Sequence, residues 1–244
     1  MNHSVRLPVD SLRAGQNLQL MANKSISFKD AIRLQESLTA RAERKALAWL
    51  AARMPDWVNS DHLTLLGFAA MFFAGASYAL ARTNRNGLIL ATVFLAINWF
   101  GDSLDGTLAR LRNRQRPRYG FYVDHMIDTV GGLFLMGGLA LSGIVDWRIA
   151  LGMFIAFLML SIEVYLAAYT LGTFRLSFVK FGPTEIRILL ALGNIALWTH
   201  PATLVSHYRI FDVGGLIAIG GMSAMLVVSA ICNTIKLYRS ERLR

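Results

Sequence analysis

Four aspartates, Asp102, Asp105, Asp124 and Asp128, and five arginines, Arg110, Arg112, Arg114, Arg116 and Arg118, are crowded between two long apolar stretches. An ionisable group deep in a bilayer costs about 3 kcal/mol unless it is paired, solvated or metal-bound. Asp102 and Asp105 are three residues apart and Asp124 and Asp128 four apart, so each pair projects from one face of a helix. The short segment between the pairs predicts antiparallel neighbouring helices whose carboxylates face each other. Converging carboxylates repel, and divalent cations relieve that repulsion. Oxygen-only donors favour Mg2+ or Mn2+ over zinc. The arginine-rich loop beside them suits a polyphosphate ligand. Gly106 and Ala109 remove bulk where a ligand would approach the helix backbone, or where two membrane helices would pack closely.

The elements that must hold these residues are apolar. The 244-residue chain is 55% hydrophobic and 16% charged, more apolar than a soluble domain of this size needs. Long apolar runs at Leu63–Ala81, Leu88–Ala109, Phe121–Val145, Ile149–Leu171, Ile186–Val205 and Val213–Leu237 each approach the roughly 20 residues that cross a bilayer. Six transmembrane helices are therefore expected over residues 59–238, making an all-α membrane protein. Trp57, Tyr119, Trp147, Trp198, Tyr208 and Tyr238 fall near the ends of these runs, where amphipathic rings favour the headgroup layer. With six spans both termini share one side, which also receives 21 of the 25 Lys and Arg residues; Arg82, Arg85, Arg148 and Arg209 face the other. The positive-inside rule makes the richer side cytoplasmic. The net charge of +10 is then explained by anionic headgroups, and no nucleic-acid partner is expected. The expected place is the plasma membrane, the inner membrane of a bacterium. No cleavable signal is expected, because the first long apolar run begins after residue 60. The lone Cys232 excludes an intrachain disulfide.

Before the first span, residues 1–26 read as a polar tail and 27–54 as a cytoplasmic amphipathic helix lying at the interface. Ser27 and Asp30 give it a helix start, and Leu34, Leu38, Ala42, Ala46, Trp49 and Leu50 an apolar stripe. Packing of that stripe on the leaflet or on the spans fits equally well. Asn59 or Ser60 is the candidate cap of the first span, and residues 239–244 form a basic tail. Pro183 and Glu185 are helix-start residues of the fifth span. Glu185 and Arg187 are candidates for substrate contact or for a structural ion pair. Glu163 lies mid-span, functional or bonded to a neighbouring helix. Arg175 and Lys180 are snorkelling anchors or acceptor-phosphate ligands. His125 sits between the later aspartates but points about 100° from Asp124.

The run Asp102-x2-Asp105-Gly106-x2-Ala109-Arg110-x9-Gly120-x3-Asp124-x3-Asp128 resembles the signature of the CDP-alcohol phosphotransferase (CDP-alcohol phosphatidyltransferase) family, integral membrane enzymes of phospholipid synthesis. The resemblance implies that Asp102, Asp105, Asp124 and Asp128 hold two divalent cations, Mg2+ or Mn2+, and that Asp128 is also the catalytic base. Gly106, Ala109 and Arg110 would line the CDP moiety of the donor, Gly120 would let its helix approach, and the protein would be a homodimer. The partners implied are a CDP-linked lipid or alcohol donor, an alcohol acceptor and membrane lipids. The pair Ser60-Asp61 before Thr64 departs from the family's usual Pro-Asn and removes a familiar cap.

Within the family, two directions are open: CDP-diacylglycerol giving its phosphatidyl group to a soluble alcohol, or CDP-choline or CDP-ethanolamine giving to diacylglycerol. The interior basic residues favour the first. An ion or proton transporter is the competing class, but its carboxylates belong near the bilayer midplane, whereas these cluster at one edge beside arginines.

Overall fold

Helix signals are obeyed at several ends of the apolar runs. In the computed structural model, which describes residues 32–34, 40–175, 182–200, 204–205 and 208–241, seven helices occur among the described residues: α1 (Ala40–Ala51), α2 (Ser60–Leu80), α3 (Asn86–Leu111), α4 (Pro117–Ser142), α5 (Trp147–Leu171), α6 (Pro183–Thr199) and α7 (Ile210–Ser240). Asn59 caps α2 by accepting from His62 N–H at 3.0 Å. Pro117 and Pro183 sit in the first turns of α4 and α6, where a missing N–H costs nothing. Gly143 and Gly172 close α4 and α5 in the left-handed conformation, at φ 73° and 64°. The remaining regular structure is two short pairings, β1 (Ile32–Leu34) parallel to β2 (Thr173–Arg175) and β3 (Leu204–Val205) antiparallel to β4 (Tyr208–Arg209).

Five helices, α2, α3, α4, α5 and α7, are long and apolar enough to cross a membrane, which makes this a multi-pass integral membrane protein. The expected fifth span, Ile186–Val205, falls on α6, which has 17 residues and ends at Thr199. Large apolar side chains such as Leu65, Phe72, Leu90, Ile155 and Val228 are exposed on the outside of the bundle, as a lipid-facing surface requires.

The expected helix over 27–54 is shortened. Residues 27–31 and the polar tail 1–26 lie outside the described residues, Ile32–Leu34 is extended, and α1 begins only at Ala40. Its packed face is rotated from the stripe read from the sequence, of which Leu50 still packs against the buried cluster. Leu47 and Ala51 are buried against Val58, Leu63, Leu104 and Leu108, whereas Trp49 is 55% exposed with the Arg53 guanidinium over its ring. Small and branched residues one position off the stripe fit the groove between α2 and α3, and the bulky indole is left outside.

The arrangement of α2, α3 and α4 departs most from expectation. Despite the short connection, α3 and α4 do not pack on each other; α2 lies against both. Like charges on two facing helices would oppose direct contact, and glycines let α2 take the shared position. A Cβ on Gly101 of α3 would fall 2.5 Å from the Leu63 carbonyl oxygen of α2, and one on Gly138 of α4 would clash with the Gly75 carbonyl oxygen of α2. Both contacts are backbone to backbone, so only glycine permits them. Around them lies a core of Ala74, Tyr78, Ala91, Leu95, Leu135 and Leu139.

Candidate functional site

The four aspartates meet across a cleft walled by α2, α3 and α4 and lined also by Thr64, Gly67, Asn98 and Arg187. Its geometry starts from the glycine contact at Gly101. Asn98, buried one turn earlier, donates its Nδ2 to the Gly67 carbonyl at 3.0 Å, tying α3 to α2. This fixes the turn that carries Asp102 and Asp105. Thr64 Oγ1 of α2 donates to Asp105 Oδ2 at 2.6 Å, and the Gly106 N–H reaches Asp105 Oδ1. Arg187 Nη2 of α6 donates to Asp102 Oδ2 at 2.6 Å in a partly buried ion pair. Across the cleft Asp124 and Asp128 project from α4 one turn apart, with Asp128 exposed. Asp102 and Asp124 both act electrostatically on Asp105.

The donor set suits a hard divalent cation: every carboxylate offers oxygen alone, and Thr64 and Asn98 add only more oxygen and amide groups. Among the described residues, no three His, Cys, Asp or Glu side chains converge on one ion-sized point. Asp102 is turned onto Arg187 and Asp105 onto Thr64. The ionic bond to Arg187 offsets part of the carboxylates' mutual repulsion.

Other residues singled out by the sequence take different places. Ala109 lines a neighbouring groove with Asn59, Ser60, Asp61, Arg114 and Arg116. Among the described residues, a Cβ on Gly106 would meet only the Arg110 side chain, at 3.4 Å, and no other helix. Arg110 is exposed and donates to Thr107 Oγ1 at 3.1 Å. Gly120 was expected to let α4 approach a neighbour; among the described residues a Cβ there would meet nothing within 4 Å. It lies in the first turn of α4, before that helix meets α2. Arg112, read as part of a polyphosphate-binding loop, instead donates to the carbonyls of Met54, Pro55 and Val58 and so holds the α1–α2 connection. Arg116 pairs with Asp61 and lies over Tyr119.

Glu185 is buried and accepts from the Gly182 N–H at 2.9 Å, a helix cap. Glu163 accepts from Asn233 Nδ2 at 2.7 Å, linking α5 to α7. His125 packs between Phe121 and Tyr165, with Nδ1 2.6 Å from the Phe121 carbonyl oxygen. Lys180 and the Arg175 side chain lie outside the described residues. Sequence reasoning missed Asn98 and the Thr64 contact to Asp105. Polar residues one turn from a motif, on faces that turn inward, were the signal available for both.

A bundle of membrane-crossing helices gathers carboxylates, an ion-paired arginine and a basic groove at one end, an arrangement whose chemistry suits a phosphorylated ligand. The family model described as CDP-alcohol phosphatidyltransferase matches residues 57–231, and the chain belongs to that family of transferases of substituted phosphate groups. It is the family whose signature residues 102–128 resemble. Over 92 residues the chain is 34% identical to the archaetidylinositol phosphate synthase of Pyrococcus horikoshii, a stretch covering 38% of this chain and 46% of that protein. The chain thus spans about half the length of the curated relative it matches.

Proposed function

We propose that the protein transfers a phosphatidyl group from a CDP-linked donor, CDP-diacylglycerol, to an alcohol acceptor and releases CMP. The observation that carries this reading is the meeting of Asp102, Asp105, Asp124 and Asp128 in one cleft beside a basic groove, in a chain of this family. Asp102, Asp105, Asp124 and Asp128 would hold two divalent cations, Mg2+ or Mn2+, which when bound neutralise charge on the diphosphate and the departing CMP. Asp128, the exposed member, takes the proton from the acceptor hydroxyl as its oxygen attacks the phosphorus. Ala109 and Arg110, with Gly106 leaving the helix backbone accessible, face the CDP moiety, and Arg114 in the adjoining groove adds positive charge for its phosphates. Arg187, at the cleft wall, is placed to exchange its bond to Asp102 for one to an anionic group of the substrate.

A phosphorylated polyol is the favoured acceptor: the name of the Pyrococcus relative and the basic residues at the cleft both support it. In the membrane, α6 serves as a sixth span, since 17 residues at 1.5 Å each make about 25 Å, the short end of spanning length. The charge asymmetry of the loops then puts both termini and the cleft on the cytoplasmic side of the plasma membrane, bacterial inner membrane included. α1 lies at that surface with Trp49, Arg53 and Trp57 outward, and the working unit is a homodimer. The test is an acceptor screen with purified protein, CDP-diacylglycerol and CDP-ethanolamine in parallel, with and without chelator. CMP release from CDP-diacylglycerol, lost on chelation and restored by Mg2+ or Mn2+, is expected; release from CDP-ethanolamine with diacylglycerol instead would reverse the direction of transfer.

A further inference from the structure

The match to the family begins at residue 57, so α1 lies outside it. One side chain nevertheless joins α1 to the cleft. Glu43, in the first turn of α1, accepts three hydrogen bonds on Oε1: from Trp99 Nε1 at 2.9 Å, Ser103 Oγ at 3.3 Å and Thr184 Oγ1 at 2.8 Å. Trp99 and Ser103 lie one turn apart on α3, and Ser103 adjoins Asp102. Thr184 lies in the first turn of α6, one turn before Arg187. The two helices bridged by this carboxylate are therefore the two whose side chains meet in the Arg187–Asp102 ion pair. A carboxylate is the side chain suited to such a junction, because it accepts from several donors at once and offers none in competition.

We propose that Glu43 is a positioning residue: it fixes the first turn of α6 against α3, so that Arg187 stays within reach of Asp102 and α1 becomes part of the frame of the site. A simple anchor for α1 would need only the apolar contacts of Leu47 and Ala51, which already bury that helix on α2 and α3. Glu43 adds polar bonds to α3 through Trp99 and Ser103 and, through Thr184, a link to α6 that those contacts do not make. Its bonds go to the two site-bearing helices.

The kinetic arm of the test rests on the transfer reaction proposed above; the structural arm does not. Full-length protein in detergent, as wild type, Glu43→Ala, Glu43→Asp and Thr184→Val, is compared by amide hydrogen exchange and by CMP release from CDP-diacylglycerol with Mg2+. Faster exchange is expected at residues 183–187 in Glu43→Ala and in Thr184→Val, with residues 44–51 altered only in Glu43→Ala. In Glu43→Ala kcat should fall about tenfold, the size of one charge-assisted hydrogen bond, with donor KM changed less than about twofold, and Glu43→Asp should recover part of that loss. Thr184→Val removes one leg of the junction and leaves α1 bonded, so it decides the matter even if the Glu43 variants fail to fold. Unchanged exchange at 183–187 in Thr184→Val, or unchanged kcat in folded Glu43→Ala, overturns the proposal. If wild-type protein releases no CMP from any CDP donor, the transfer reading fails, and the exchange at 183–187 alone decides the role of Glu43.

Discussion

The two ends of the α2–α3–α4 group are built on opposite principles. At the end marked by Tyr78, α2 meets its neighbours backbone to backbone through Gly75, Gly87 and Gly138. The polar groups there form a closed chain: Tyr78 donates to Asn194 Oδ1 at 3.0 Å, and Asn194 Nδ2 donates to Thr92 Oγ1 at 3.1 Å, with Tyr78 and Asn194 fully buried. At the end marked by Asp102 only the Gly67–Gly101 approach persists, and beyond it α3 and α4 open around four carboxylates. One end closes its polar groups into a buried chain, and the other gathers four carboxylates around a cleft, with Asp102 bonded to Arg187 and Asp105 to Thr64. A cluster of like charges is tolerable because helix spacing is set elsewhere, by contacts that carry no charge.

That contrast can be attacked from either end. The largest effect belongs to the open end: Asp128→Asn should lower CMP release about 10^3-fold, roughly 4 kcal/mol of transition-state stabilisation, with thermal unfolding in detergent unchanged. Normal turnover in that variant removes Asp128 as the base. At the closed end, Gly138→Ala must push α4 off the Gly75 carbonyl, and should cost about 1–3 kcal/mol of stability, seen as a lower unfolding midpoint with the activity of the folded fraction retained. Tyr78→Phe deletes the donor to Asn194 and should cost less, about 0.6–1.7 kcal/mol, the range of interhelical hydrogen bonds within membranes; the same measurement checks it. Smallest is Gly120→Ala, which meets open space among the described residues and should leave stability within about 1 kcal/mol of wild type, on the favourable side, through helix propensity. A loss of donor affinity in that variant would show that Gly120 is kept small for substrate and not for helix spacing.

Much of the architecture was legible because it follows from local chemistry. Stretches of apolar sequence near bilayer length became helices, Asn59, Pro117 and Pro183 began helices as their types dictate, and Gly143 and Gly172 ended them. The convergence of the candidate site was legible through spacing: three- and four-residue intervals put Asp102 with Asp105 and Asp124 with Asp128 on one helical face each, and all four line one cleft. Less legible was α1, whose sequence stripe included Trp49 although Leu47 and Ala51 make its contact. Periodicity reports that a helix has an apolar side, and the shape of the groove selects the residues that enter it.

The sequence by itself determined a membrane-crossing helical chain with two acidic turns and an arginine-rich connection, because hydropathy and helical periodicity act over a few residues and need no partner. Only the tertiary structure decided that α2 stands between α3 and α4, that Arg112 holds the α1–α2 connection while Arg187 reaches Asp102, and that Glu43 joins α1 to both α3 and α6. These depend on which backbones can approach across long stretches of chain. That is settled by glycine positions on two helices at once, information that no single segment contains.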